Sequence, residues 1–225
     1  TYTYDPNSNL TSVTDPVGNT TTFSYDELNR LVEVEDPLGN TTTHAYDPAG
    51  NRTETVDRNG RRRTFEYDAR DRLIKEIWFD AEAPVNTIMY AYDVRGNLLS
   101  VTDNDSVCTF TYNVLDRRIT EDNGGTAGIP RVALTYTYDG HGNVTAIEDD
   151  TGVRVESAYD NRNRHAQRTW QNGGVNPLRL DYEHDAAGNR TGIMRYTDLA
   201  GTDLPVKSVM GFDQLHRNTS IEHQD

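Results

Sequence analysis

The residues of this chain that could do chemistry are few and scattered. Its one cysteine, Cys108, lies two residues before Phe110 and four before Tyr112, with no second cysteine to pair with and no neighbouring histidine or basic group to lower its pKa. That setting favours a small buried residue on an aromatic face over a nucleophile. The six histidines, His44, His141, His165, His184, His216 and His223, show no metal spacing such as an i, i+4 pair with a carboxylate. Asp103-Asn104-Asp105 and Asp149-Asp150-Thr151-Gly152 lack the alternating oxygen ligands and distal glutamate of a calcium loop, and read as turns. Asn9, Asn19, Asn40, Asn51, Asn143, Asn189 and Asn218 open Asn-x-Ser/Thr triplets, but most are by-products of turns followed by threonine-rich strands, and no glycan is assigned to them. Trp78 and Trp170 are candidate rim contacts that could stack on a sugar; anchoring an extended hairpin is the favoured role. No Ser/His/Asp set, carboxylate pair or glycine-rich phosphate loop exceeds what turns explain. Catalytic residues, cofactors and metal ligands are therefore all expected to be absent, and an enzyme is the weakest reading.

What positions side chains in such a chain must be a pattern, because the apolar inventory is thin. Leucine, isoleucine, valine and phenylalanine make up less than a fifth of the 225 residues, the net charge is −14 and the mean hydropathy is −0.80. Those values border on disorder, yet 13 tyrosines, 5 phenylalanines and 2 tryptophans argue for an ordered chain. With 36 acidic against 22 basic residues, and no basic cluster beyond Arg61–Arg62–Arg63, the overall field opposes a phosphate backbone, so no nucleic-acid partner is expected. The longest apolar runs are a few residues, such as Ile77–Trp78–Phe79, and neither a membrane span nor a signal peptide is expected.

The pattern is a repeat. Tyr4-Asp5, Tyr25-Asp26, Tyr46-Asp47, Tyr67-Asp68, Tyr92-Asp93, Tyr138-Asp139 and Tyr159-Asp160 recur with a base period of 21 residues, and Tyr112-Asn113, His184-Asp185 and Phe212-Asp213 complete ten copies. The residue five places after the aromatic alternates strictly. It is Asn9, Asn51, Asn97, Asn143 and Asn189 in one kind of copy, and Arg30, Arg72, Arg117, Arg164 and Arg217 in the other. The structural unit is therefore a pair of repeats, and extra length collects mainly in the steps from an Arg copy to the next Asn copy, which places insertions on one rim.

Each repeat carries two turn signals. One residue before the alternating position stands Ser8, Asn29, Gly50, Asp71, Gly96, Asp116, Gly142, Asn163, Gly188 or His216, mostly types that tolerate a left-handed backbone, and the Asp after the aromatic suits a turn acceptor. The second signal is Asp15-Pro16-Val17-Gly18, Asp36-Pro37-Leu38-Gly39 or Asp57-Arg58-Asn59-Gly60. Two turns leave two short strands. The one entering each aromatic alternates with period two, as in Phe23/Tyr25 and Phe65/Tyr67, so the aromatics are expected on one face, stacked between successive hairpins. The alternating arginines, flanked by turn carboxylates, are expected to span to an acidic or carbonyl group of the adjacent hairpin.

Tyr46-Asp47-Pro48-Ala49-Gly50-Asn51-Arg52 and Tyr25-Asp26-Glu27-Leu28-Asn29-Arg30-Leu31 resemble the units of the Rhs/YD-repeat family, and the resemblance covers essentially the whole chain. It implies an all-β array of hairpins forming one continuous, curved or spiralling antiparallel sheet, a segment of the hollow shell found in bacterial polymorphic toxins, insecticidal toxin complexes and teneurins. Residues 1–225 are then a single array, and its role is a structural wall that, in a parent protein, encloses and delivers a C-terminal toxic polypeptide. The implied partners are that intramolecular cargo and neighbouring repeats, and the implied location is secreted or cell-surface. The alternative is an extracellular adhesion or carbohydrate-binding module whose insertion-rich rim meets a cell-surface glycan or protein. No terminal core element with its Asp-Pro-x-Gly ending follows Phe212, so ten repeats are expected to be part of a wall and not a closed container. The end strands, near Thr1–Tyr4 and Ile221, are expected to drive self-association, with a two-fold dimer the first expectation.

Overall fold

Aspartate side chains organise the turns. In the computed structural model, which describes residues 1–126, 128–172, 175–203 and 206–224, the Asp26 N–H donates to the Arg30 carbonyl at 2.9 Å and the Asn29 N–H to the Asp26 carbonyl at 3.0 Å. Asp26 Oδ1 accepts the N–H groups of Leu28 and Arg30, each at 2.9 Å, and Asn29 has φ of 59°. This is a three-residue hairpin loop, a type I turn followed by one left-handed residue. The turn at Asp15–Asn19 has the same geometry: Asp15 N–H to Asn19 carbonyl, Gly18 N–H to Asp15 carbonyl, and Asp15 Oδ1 accepting from Val17 and Asn19. The two turn signals of the sequence are one device used at opposite ends of the strands.

Cα packing divides the chain into two units, Thr1–Val107 and Cys108–Asp225. The first holds β1 (Tyr2–Tyr4), β2 (Leu10–Thr14), β3 (Thr20–Tyr25), β4 (Leu31–Glu35), β5 (Thr41–Tyr46), β6 (Arg52–Val56), β7 (Arg62–Tyr67), β8 (Leu73–Asp80), β9 (Ala83–Tyr92) and β10 (Leu98–Thr102). Each pairs antiparallel with the next. The second holds β11 (Val107–Tyr112, starting at the last residue of the first unit), β12 (Arg118–Asp122), β13 (Ala133–Tyr138), β14 (Val144–Asp149), β15 (Val153–Tyr159), β16 (His165–Asn172), β17 (Val175–His184), β18 (Arg190–Tyr196), β19 (Val206–Phe212) and β20 (Asn218–Gln224), again paired in chain order. The fold is all-β and antiparallel. Among the described residues no helix is long and apolar enough to cross a membrane.

At every repeat turn the ladder slips by one residue. Ser24 pairs with Glu33 but Tyr25 with Leu31, leaving Val32 as a bulge, and the same slip precedes Tyr46, Tyr67, Tyr112, Tyr138, Tyr159, His184 and Phe212. Extra residues go to the hairpin ends away from the repeat turns. β8 and β9 lengthen to 8 and 10 residues around Ala81, and the step from β12 to β13 is longer than in the other repeats.

Burial is one side chain deep. Phe65, Phe110 and Ala146 are the buried apolar residues among those described, and Cys108 is half-buried where the sequence suggested full burial. The expected stacking of aromatic on aromatic is replaced by arginine on aromatic. Arg52 lies 5.3 Å from the Phe65 ring, Arg118 4.5 Å from Phe110 and Arg190 4.5 Å from Tyr182, whereas ring-to-ring contacts are confined to Tyr159–His165 and His165–Tyr182 among the described residues. The reason is spacing: the ladder aromatics sit on alternate strands, roughly 10 Å apart at two strand separations, beyond ring-contact distance. A guanidinium from the intervening strand fills the gap.

Candidate functional site

Within each unit the repeat turns form a polar rim whose residues are tied to one another. In an Arg-type turn the guanidinium closes its own loop and then reaches the next. Arg30 Nε donates to Asp26 Oδ2 at 2.7 Å, Nη1 to the Asp47 carbonyl at 2.8 Å, and the guanidinium stands 4.7 Å from the centre of the Tyr46 ring. Arg72 repeats this with Asp68 (2.7 Å), the Asp93 carbonyl (3.1 Å) and the Tyr92 ring (4.6 Å). In the second unit Arg117 reaches the Asp139 carbonyl at 3.2 Å and lies over Tyr138, and Arg164 bonds Asp160 and, at 3.0 Å, the Asp185 carbonyl. Arg217 bonds Asp213 and is otherwise exposed, its side chain 73% accessible.

Asn-type turns answer in the same direction. Asn9 Nδ2 donates to Asp5 Oδ2 and to Asn29 Oδ1, Asn51 Nδ2 to Asp47 and Asp71, and Asn143 Nδ2 to Asp139 and Asn163. Asn189 Nδ2 meets Asp185 and His216 Nδ1. The Tyr hydroxyls point the other way: Tyr25 donates to the Leu10 carbonyl, Tyr46 to Leu31, Tyr67 to Arg52, Tyr92 to Leu73 and Tyr159 to Val144, at 2.8–3.0 Å. Sequence reading found the tyrosines but missed this hydroxyl contact. The signal available was tyrosine, not phenylalanine, at the turn itself.

The alternation extends to the left-handed position. Gly50, Gly96, Gly142 and Gly188, in four of the five Asn-type turns, have φ of 93–101°, and Ser8 in the fifth has 69°, while Asn29, Asp71, Asp116, Asn163 and His216, all in Arg-type turns, have φ of 58–61°. Only glycine tolerates the first value; the second admits Asn and Asp, which then serve as acceptors for the preceding Asn-type turn.

These bonds set the titration of the rim. The Arg72 side chain first, with two backbone N–H groups, pulls Asp68 down to about 2, and the Arg164 backbone N–H first, then Arg162 and the Arg164 side chain, does the same for Asp160. Asp5, Asp47, Asp93, Asp139 and Asp185 are lowered chiefly by their Asn partners. Burial lowers His44, His165 and His184.

Residues that might have held a ligand have structural neighbours. Asp103 Oδ1 accepts from Asp105 N–H, Ser106 N–H and the Ser106 hydroxyl, and Asp149 Oδ1 from Thr151 and Val153 N–H. His44 Nδ1 is 3.1 Å from the Thr55 hydroxyl. Trp170 is half-buried beside Arg168. Trp78 is 41% exposed, its indole N–H donating to Glu76 at 2.6 Å. It lines an open cleft of about 430 Å³ in the first unit with Arg61, Arg62, Arg63, Phe79 and Val85.

A family model described as RHS Repeat matches residues 4–41, 27–62, 46–77 and 92–127. No curated protein sequence matches the chain. The crystal structure of TcdB2-TccC3-Cdc42 aligns over 99% of this chain and 14% of its own, with a TM-score of 0.67 and 14% identity. That of TcdB2-TccC3 aligns over 94% and 14%, with 0.58 and 16%. The Tc holotoxin pore of Photorhabdus luminescens, with a mutated TccC3, aligns over 93% and 15%, with 0.57 and 16%. At these identities the likeness is one of fold, and the chain spans 14–15% of the length of these structures.

Proposed function

The chain belongs to the Rhs/YD-repeat family, and we propose that its ten repeats, from Tyr4 to Phe212, are one continuous array serving as structural wall in a β-hairpin shell. In the longer protein that wall encloses and delivers a toxic C-terminal polypeptide, and the protein is secreted or displayed at the cell surface. The observation that carries this reading is the commitment of the rim: Arg30, Arg72, Arg117 and Arg164 each reach forward to the next turn, and the turn tyrosines reach back. Polar groups engaged in this way hold neighbouring hairpins together, which is what a structural role requires. Limited proteolysis of the full-length protein carrying this array tests it. A C-terminal segment protected until the repeats are unfolded supports enclosure, and immediate cleavage refutes it.

One observation favours the adhesive alternative: the cleft with the exposed Trp78, lined by Arg61, Arg62 and Arg63 and by Asp57 and Asp80, in which Arg61 pairs with Asp57 and Arg63 with Glu76. An exposed indole face among polar side chains suits stacking on a sugar ring. Selective binding to glycans on an array, abolished by Trp78→Ala, would support that reading over the first.

A further inference from the structure

The two faces of the sheet in the second unit carry charge differently. The register across β15–β19 puts Glu156, Thr169, Arg179, Asp181, Glu183 and Lys207 on one face, and Ser157, Arg168, Trp170, Leu180, Tyr182 and Arg195 on the other. On the first face the cations are matched: Arg154 pairs with Glu148 and Glu156, Arg179 with Asp181, and Lys207 with Glu183, at 2.6–2.9 Å. The second face, which holds the aromatic ladder, has no carboxylate at any described position of these strands, yet it carries three arginines. Arg168 and Arg195 stand on either side of Leu180, at two strand separations or roughly 10 Å. Arg190 lies 4.5 Å from the ring of Tyr182, two residues further along β17.

None of the three arginines has an ion-pair partner among the described residues. Arg168 lies over Trp170 with its Nε buried and unbonded, and Arg195 donates from Nη1 to the Ser208 hydroxyl, a neutral acceptor, at 3.0 Å. Arg190 and Arg195 are exposed, and each of β15–β19 touches only the strand before it and the strand after it, so no described strand covers this face. Three like charges gathered in this way repel one another until an anion answers them. We infer that this face of β16–β18 is a docking surface for an acidic segment of extended polypeptide, whose carboxylates are taken by Arg168, Arg190 and Arg195. A guanidinium pairs with a carboxylate through two parallel hydrogen bonds. The row Arg168–Leu180–Arg195 is matched by a segment of the form Glu-x-Leu-x-Glu, in which alternate side chains share a face and the two glutamate Cα atoms lie roughly 13 Å apart, within reach of such long side chains. The chain's net charge of −14 opposes a longer polyanion such as nucleic acid. Docking there does not require that the array enclose a cargo.

Fluorescence anisotropy on the whole chain tests this with a labelled peptide of repeating Glu-Ser-Leu-Ser, the same peptide with glutamine for glutamate, and a labelled thymidine decamer. The glutamate peptide should bind, and the glutamine peptide should bind at least about tenfold more weakly. Arg195→Glu and Arg190→Ala should each weaken binding of the glutamate peptide by roughly tenfold. Lys207→Ala, which removes a charge from the opposite face, should leave it unchanged. Circular dichroism checks that the variants stay folded, and Arg195→Glu decides alone if Arg190→Ala loosens the packing on Tyr182. No binding of the glutamate peptide, equal binding of the two peptides, or an equal loss in Lys207→Ala overturns the inference. So does tighter binding of the decamer, or a dimer of the chain that Arg195→Glu dissociates in sedimentation, since each would give the face another occupant.

Discussion

Asn113 stands where four of the five Arg-type turns carry an aspartate, and the consequence falls on Arg117. Its Nε is buried without a hydrogen-bond partner, while Nε of Arg30, Arg72, Arg164 and Arg217 donates to the turn carboxylate at 2.7–2.8 Å. Asn113 Oδ1 already serves the Leu115 and Arg117 N–H groups, and its amide nitrogen cannot accept. Asn113→Asp should therefore stabilise the chain by about 1 kcal/mol in urea unfolding; no gain would mean that the carboxylate does not reach Nε. Arg72→Lys tests the opposite loss. A lysine cannot bond Asp68, reach the Asp93 carbonyl and cover Tyr92 at once, so the melting temperature should fall by roughly 2–4 °C. An unchanged value would class Arg72 as a solvated charge.

Within a hairpin, the left-handed position and the aromatic ladder carry separate burdens. Gly50 has φ of 100° with open space where a side chain would go, so Gly50→Ala isolates backbone strain, and a loss of roughly 1–3 kcal/mol is expected. Equal stability would show that the turn re-forms with a lower φ. Phe65, 9% exposed and capped by Arg52, is the better test of the ladder. Truncation to alanine should cost roughly 3 kcal/mol, the low end for such a residue, because the burial is one side chain deep. A loss under about 1 kcal/mol would indicate a face already open to water.

Across the whole molecule, acid should act in two windows. The lowered histidines, His44, His165 and His184, add stability that is complete above their unfolded value of 6.5 and declines as pH falls below it. The turn carboxylates add a second contribution, complete above the unfolded 3.8 and lost as pH falls toward the folded value, about 2 for Asp68 and Asp160. Thermal melts from pH 8 to pH 2 should thus show a shallow decline below 6.5 and a steep one below 4. A melting temperature independent of pH between 4 and 2 would mean that the turn bonds contribute equally to the unfolded chain.

Much of this was legible in the residues because the determinants are local. Asp at the first turn position, a left-handed residue three later and Asn or Arg after it lie within five consecutive residues, so type, spacing and alternation identify the turns, the strands between them and the all-β class without reference to anything distant. What lies across strands was legible only in part: the reach of the alternating arginines to an acidic or carbonyl group of the next hairpin was expected, and the partner atoms were not. That Arg52 and Arg118, and not a second ring, cover Phe65 and Phe110 follows from strand separation. That Tyr46 bonds the Leu31 carbonyl, and that Arg30 Nη1 reaches the Asp47 main-chain carbonyl and not the Asp47 carboxylate, depends on the slip at each bulge, which shifts facing residues by one. Linear order fixes which residues are near in sequence; only the register of neighbouring strands decides which polar atoms meet.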